Sequence, residues 1–261
     1  GVEAYQGLTQ PRSPAPRVSA HNHPLPFHHS VSFQPVPLRA LPAGPAIPCP
    51  SMATPAATVA PSLKRALDIA GASGLLLLTL PVFLLLALLV RADGGPAFYA
   101  HERIGRGGCR FGCLKFRSMV TDSAARLEAL LAHDPAARAE WEASRKLRHD
   151  PRITWIGRFL RASSLDELPQ LINVLRGDMS LVGPRPVIAA ELAAHYGAAA
   201  AHYMSVRPGI TGLWQVSGRS DTSYDTRVAL DVRYATNPSL LEDLRILLRT
   251  PAVVLLRRGA Y

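Results

Sequence analysis

Two adjacent carboxylates, Asp166 and Glu167, lie in the run Arg161-Ala-Ser-Ser-Leu-Asp-Glu-Leu-Pro-Gln170, which is followed by Leu181-Val-Gly-Pro-Arg-Pro186. Arg158, Arg161, Arg176 and Arg185 lie on both sides of the pair. Like charges side by side are costly to keep ionised unless cations compensate them. A carboxylate pair in a basic frame therefore suits a divalent metal, or a phosphorylated substrate that meets both the metal and the arginines. A purely structural alternative stands beside it. Ser164-x-x-Glu167 has the form of a capping box, with Asp166 favouring the helix dipole. Pro169 weighs against the simple version, because a helix starting at Leu165 would hold the proline inside. A start near Leu168 makes Pro169 the first helical residue and leaves the carboxylates at the helix mouth, beside N–H groups that can bind an anion. On pattern alone, both readings remain open.

The elements that must position this pair divide into three regions. Residues 1–61 carry 13 of the 23 prolines and four histidines, His21, His23, His28 and His29, with no periodic apolar face. Such a segment cannot bury enough surface to offset its ordering entropy, so disorder is expected there rather than a metal site. It lacks the basic start, apolar core and cleavage site of a signal peptide. Met52 precedes every motif used below and is a candidate start. Residues 62–91 contain an uncharged, Leu-rich stretch over 69–90, bounded by Asp68 and Arg91. At about 1.5 Å per residue it can reach roughly 33 Å, enough to cross a bilayer. Lys64, Arg65 and Arg91 make both flanks basic, so charge gives little preference for crossing over entering and returning. Pro81 sits midway, where a break can form if the freed carbonyl finds a partner such as Ser73 or Thr79.

Residues 92–261 read as a mixed, helix-rich α/β domain. Strands are expected over 98–104 and 109–116, around the turn Gly105-Arg-Gly-Gly108. That glycine cluster lacks the Gly-Lys-Ser/Thr ending of a phosphate-cradling loop. Helices are expected over 122–131 and 135–147, the second capped by Asp134 with Pro135 at its first position. Segments 155–160 and 240–249 are amphipathic, and their Trp, Leu and Arg suit a membrane interface as well as a half-buried helix. Cys109 and Cys113 form a single C-x3-C with no second pair, so zinc is not indicated. The 261 residues carry a formal charge of +10, compatible with nucleic acid, an anionic membrane or a phosphorylated substrate. No helix-turn-helix, finger or aromatic-basic platform accompanies that charge, which argues against a nucleic-acid partner.

The ordered motifs carry more. They begin with Lys64-Arg-Ala-Leu-Asp68, Lys115-Phe-Arg-Ser-Met119 and Asp150-Pro-Arg-Ile-Thr154. Ser164-Leu-Asp-Glu-Leu-Pro-Gln170, Asn173-Val-Leu and Met179-Ser-Leu-Val-Gly-Pro-Arg-Pro186 follow. Pro208-Gly-Ile-Thr-Gly-Leu-Trp-Gln-Val216 and the ending Gly259-Ala-Tyr261 complete the series. Together they make the chain resemble the bacterial sugar transferase family, the monotopic phosphoglycosyl transferases that initiate exopolysaccharide and O-antigen units. The resemblance implies a single membrane-associated catalytic domain behind a re-entrant helix-break-helix at Pro81, although Leu80 stands where a serine often precedes that proline. It implies transfer of a sugar phosphate, glucose or galactose by the wording of the motifs, from a UDP-sugar to undecaprenyl phosphate with release of UMP. Asp166 would be the nucleophile. Glu167, with Asp166 close enough to share, would hold Mg2+. The expected location is the inner membrane, with the domain facing the cytosol.

With that resemblance, the remaining basic residues become phosphate-binding candidates. Lys115 and Arg117 alternate along a strand and would share a face. Arg185 is stiffened between two prolines, and its planar fork suits a phosphate. Arg219 is a weaker candidate. His101 stands where the family more often has glutamine, and it reads as a hydrogen-bonding strand residue rather than a base. A non-catalytic membrane scaffold for polysaccharide assembly is the alternative, and the intact Asp166–Glu167 pair with Lys115, Arg117 and Arg185 argues against it.

Overall fold

A computed structural model describes residues 61–144, 147–218 and 223–255 of the chain. The reading of residues 1–60, Arg219 and the Gly259-Ala-Tyr261 ending lies outside the described residues. What is described is helix-rich and mixed α/β, as the motif pattern led us to expect.

Helix α1, Pro61–Arg91, is long and apolar enough to cross a membrane. It stays helical through Pro81, so the break expected there is not present. Proline removes one backbone hydrogen bond, but its fixed φ is compatible with a helix, so a long helix can run through it. Thr79 Oγ1 donates to Leu75 O at 2.7 Å rather than attending to the carbonyl freed by the proline. Leu77, Leu78, Leu84, Leu85 and Leu88 are exposed.

Both ends of α1 dock on the catalytic part. At the N-terminal end, Lys64 Nζ reaches Asp243 Oδ2 at 2.6 Å, and Asp68 Oδ1 accepts from Ser180 Oγ and Leu181 N. Arg65 donates to the carbonyls of Val174 and Leu175, capping the next helix but three. At the other end, Phe83, Leu86 and Val90 join Phe116, Ile156 and Leu160 in one buried cluster. Phe83 lies 5.1 Å from Phe116 and 5.7 Å from Phe98, ring centre to ring centre.

The hairpin of β1 (Phe98–Ile104) and β2 (Arg110–Phe116) is antiparallel, pairing Tyr99 with Lys115 and His101 with Cys113. Helices α2 (Ser123–His133) and α3 (Pro135–Ser144) follow. Asp134 Oδ1 accepts from the backbone N–H groups of Ala136 and Ala137, the cap that the sequence led us to expect. Helix α4 (Trp155–Ser163) is capped by Thr154, whose side chain accepts from Gly157 N. Gly157 packs so tightly on the loop after β2 that an added Cβ would meet Ser118 O at 2.0 Å. This contact seats α4, and with it the turn that follows, against the end of the hairpin.

Helix α5 (Gln170–Arg176) leads into β3 (Ser180–Val182), which pairs in parallel with β4 (Gly209–Thr211). The two strands approach so closely that a Cβ on Gly209 would sit 2.1 Å from Gly183 N. The glycines of the Val-Gly-Pro and Pro-Gly-Ile motifs are therefore required by backbone packing. Between the strands run α6 (Ala189–His195) and α7 (Ala200–Ser205); beyond them come α8 (Leu213–Val216), α9 (Tyr224–Thr236) and α10 (Leu240–Leu255). A central core gathers Ala72 of α1, Cys113, Leu171, Val174, Met179, Leu181, Leu213, Tyr234 and Ile246. The helix that looks like a membrane segment is thus also a core element of the domain.

Candidate active site

The carboxylate pair sits in a 3-10 turn, Leu165–Glu167, between α4 and α5. Ser164 enters it in the left-handed conformation, φ 58°, the only non-glycine residue with positive φ among those described. Its side chain makes no capping bond, so the capping-box alternative is not what the fold builds. Pro169 stands immediately before α5. The pair is therefore at the helix mouth, as Pro169 suggested.

Lys115 projects from β2 onto the pair. Its Nζ lies 2.6 Å from Glu167 Oε1 and 3.5 Å from Asp166 Oδ2. The side chains of Lys115, Asp166 and Glu167 retain 26%, 14% and 34% of their exposure. Burial pushes the Asp166 carboxyl above the usual carboxylate range, Lys115 pulls it back, and the neighbouring Glu167 pushes it up again. Burial alone would lower the Lys115 ammonium, but Glu167 and Asp166 outweigh it and hold it above its ordinary value. The three groups form one charge-coupled unit.

Asn173 sets its geometry. This buried residue of α5 accepts from Leu114 N with Oδ1 at 2.9 Å and donates to Gly112 O at 2.8 Å. It ties the strand next to Lys115 to the helix next to the carboxylates. Its part in the site was missed from sequence, where Asn173 was only a motif letter. Arg161 joins from the other side, donating from Nε to Ser118 Oγ at 2.9 Å within electrostatic reach of Asp166.

Arg117 is not where the strand pattern placed it. Strand β2 ends at Phe116, and although Arg117 N still donates to Ala97 O at 2.9 Å, the Arg117 side chain is drawn to the end of α1 instead of the carboxylate pair. The Arg117 side chain is buried and binds both oxygens of Asp93, with Nη1 to Oδ2 at 2.9 Å. It also donates to the carbonyls of Val90, Pro96 and Met119. The hydrogen bond from Arg117 holds the Asp93 carboxyl below its ordinary value. Arg117 is a clasp between the end of α1 and the end of β2, rather than a partner of the carboxylate pair.

Arg185 is exposed between buried Pro184 and Pro186, its guanidinium 5.8 Å from the centre of the Trp214 ring. It acts electrostatically on the Cys113 thiol, as do Lys115, Glu167 and Arg103, so it belongs to the same neighbourhood. Burial pushes that thiol up to about 11, which keeps it protonated and inert. Arg103 Nη2 donates to His101 Nδ1 at 3.1 Å. Burial, reinforced by Arg103 and Lys115, lowers His101 to about 4. The imidazole is therefore neutral at physiological pH and a hydrogen-bonding strand residue, as read from sequence. Arg103 was overlooked, although its alternation with His101 and Tyr99 along β1 was the available signal. Arg158 and Arg176 are exposed.

Among the described residues, no group of three or more His, Cys, Asp or Glu side chains gathers to hold a metal. Mg2+ does not require one, since one or two carboxylates plus substrate phosphates commonly suffice. Asp166 and Glu167 supply that donor set, and the Lys115 ammonium already makes their shared edge a cation site. The residues present therefore fit the ion.

The sequence model for bacterial sugar transferases matches residues 59–257, spanning α1 and every residue of this site. The chain belongs to the bacterial sugar transferase family. This family member is 56% identical over 199 residues to the UDP-galactose-lipid carrier transferase of Erwinia amylovora, covering 76% of this chain and 42% of that protein. It is 53% identical to the exopolysaccharide production protein ExoY of Rhizobium meliloti, over 76% of this chain and 88% of that one. It is 42% identical over 207 residues to the UDP-glucose:undecaprenyl-phosphate glucose-1-phosphate transferase of Caulobacter vibrioides, covering 76% and 72%. The chain thus spans less than half the length of the Erwinia relative and most of ExoY.

Proposed function

We propose that this protein transfers a hexose 1-phosphate, glucose or galactose, from a UDP-sugar to undecaprenyl phosphate at the cytosolic face of the bacterial inner membrane. The carrying observation is the Asp166–Glu167 pair, half-buried at a helix mouth with the Lys115 ammonium seated on both carboxylates. It gains weight from relatives whose names specify UDP-galactose, UDP-glucose and undecaprenyl phosphate as substrates.

Two displacements follow. Asp166 attacks the sugar-linked phosphorus of the donor; the bond from that phosphorus to the bridging oxygen breaks, and UMP leaves with the electron pair. A phosphate oxygen of the lipid then attacks the same phosphorus, breaking its bond to Asp166 and restoring the carboxylate. A carboxylate is a weak nucleophile toward an anionic diphosphate, so positioning and charge compensation must supply most of the acceleration. Burial strips water from Asp166 and raises its carboxyl, while Lys115 opposes that rise. Glu167, shared with Asp166, would hold Mg2+, which would neutralise the diphosphate charge. Arg185, which acts on the Cys113 thiol together with Lys115 and Glu167, would supply a phosphate contact. Storing the phosphosugar on Asp166 lets the water-soluble donor and the lipid acceptor use the site in turn.

The same reading puts both flanks of α1 on the cytosolic side, with the unbroken helix lying against the membrane rather than crossing it. Its support is the docking of Lys64–Asp68 and of Phe83–Val90 on one domain. The exposed Leu, Trp155 and Phe159 faces of α1 and α4 suit a lipid interface.

The test omits the lipid. Enzyme given a UDP-sugar alone should release about one UMP per site and gain one phosphosugar mass on the Asp166 peptide, both lost in Asp166→Asn. UMP formed only when undecaprenyl phosphate is present, with no adduct after rapid quenching, would replace the covalent route with direct transfer. No UMP under either condition would favour the scaffold reading.

A further inference from the structure

Arg227, on α9, retains 7% of its exposure. Its Nη1 lies 3.2 Å from Glu191 Oε1. The other edge of the guanidinium, Nε–H and Nη2–H, presents two parallel donors. Among the described residues neither finds an acceptor. Buried donors without partners are rare because each loses its water and gains nothing in return. A complete side-on fork left vacant is the geometry that binds an oxyanion through two hydrogen bonds.

The surroundings hold that fork in place and keep it cationic. The guanidinium lies 4.5 Å from the Trp214 ring centre and 4.8 Å from that of Tyr224. Arg185 approaches the same Trp214 ring. Arg103 Nη1 is 3.9 Å from Glu191, which therefore has two arginines to serve. The nearby acid Asp231 is buried and bonded to Tyr196 Oη at 2.7 Å. Burial pushes its carboxyl up to about 6, which thins its negative charge. Positive charge exceeds negative around the fork. Arg185 links this cluster to Lys115 and Glu167, since all three act on the Cys113 thiol.

We propose that the Nε/Nη2 edge of Arg227, together with Arg185 at the same Trp214 ring, binds a substrate phosphate. The inference rests on the sugar-phosphate transfer reading, which supplies two sources of that group, the nucleotide donor and the lipid acceptor.

Purified full-length protein in detergent, wild type and Arg227→Lys, is titrated with UMP and assayed against UDP-galactose and undecaprenyl phosphate. Lysine keeps the charge and removes the fork. A tenfold or larger rise in the UMP dissociation constant and the UDP-galactose KM assigns the fork to the nucleotide. The same rise confined to undecaprenyl phosphate assigns it to the lipid. Constants within twofold of wild type for both, whether or not the melting temperature falls, reduce Arg227 to a packing residue and overturn the proposal. Hydrogen exchange on the wild type keeps the question open to refutation if the variant does not fold. UMP or undecaprenyl phosphate should slow exchange in the Tyr224–Thr236 helix, and protection by neither overturns the assignment. A wild-type enzyme that releases UMP while failing these tests sinks only this inference; one that never releases UMP sinks the transfer reading itself.

Discussion

Asn173→Ala should damage stability and catalysis together, because one buried amide holds the strand carrying Lys115 to the helix carrying the carboxylate turn. The side chain is fully buried, with Oδ1 2.9 Å from Leu114 N and Nδ2 2.8 Å from Gly112 O; it also reaches Asp178 Oδ2 at 3.1 Å. Alanine leaves one backbone donor and one backbone acceptor without their partner. Each such group costs about 1–3 kcal/mol when buried and unmet, so the two together cost roughly 2–6 kcal/mol. For a domain of this size each kcal/mol lowers Tm by roughly 2–4 °C, giving a fall of at least about 4 °C. Asn173→Asp should be no milder. It keeps the acceptor for Leu114 but turns an oxygen toward Gly112 O and Asp178. Thermal unfolding in detergent measures the first effect. UMP release measures the second, through a fall in kcat as Lys115 loses its fixed distance from the pair. A Tm within about 1 °C of wild type would show that the amide is not what joins hairpin to helix.

Three further outcomes are expected. Because the folded-state pKa of Asp166 is raised, the stability it contributes is complete below the ordinary carboxylate value and is lost as pH rises through the raised one. Asp166→Asn should therefore melt higher than wild type at neutral pH, with the advantage shrinking as pH is lowered toward 4, while activity is abolished; an equal or lower Tm at pH 7 would contradict the burial argument. Glu167→Gln should cut turnover sharply and weaken its dependence on Mg2+ with the fold intact, and an unchanged Mg2+ titration would remove Glu167 from the metal. Arg117→Lys should lower stability by roughly 2–4 kcal/mol, discounted from a fully buried pair because Asp93 is partly exposed; a raised donor KM at unchanged Tm would instead restore Arg117 to phosphate binding.

Much of the site was legible because its signals are local. Adjacent carboxylates before a proline predicted their own place at a helix mouth, and alternation around Gly105–Gly108 predicted the hairpin that delivers Lys115. What could not be read depends on long-range or single-residue geometry. A capping box and the observed turn share one spacing, and only the left-handed Ser164 separates them. Arg117 was misplaced because strand alternation says nothing of Asp93, the distant carboxylate at the end of α1 that takes its guanidinium. Within Lys115-Phe-Arg-Ser-Met119 the five residues serve different neighbours. They contact the carboxylate pair, the aromatic cluster, Asp93, Arg161 and the bridge to Ile153 respectively. Helix α1 was legible as apolar, but not as unbroken at Pro81, since one lost hydrogen bond does not dictate a break. The Arg227 cluster joins β1, α6 and α9, which no short motif spans.

The two-ended docking of α1 has a consequence for how this protein can exist at all. Cutting the chain after Arg91 would not liberate a soluble catalyst. It would remove Ala72, Phe83, Leu86 and Val90 from two buried clusters and take from Asp243, Ser180 and the end of α5 their partners on α1. The segment that bares an apolar face on one side is the keel of the catalytic body on the other. A chain deprived of this helix is therefore expected to be an unfinished protein, so that building the site and presenting an apolar face become one event.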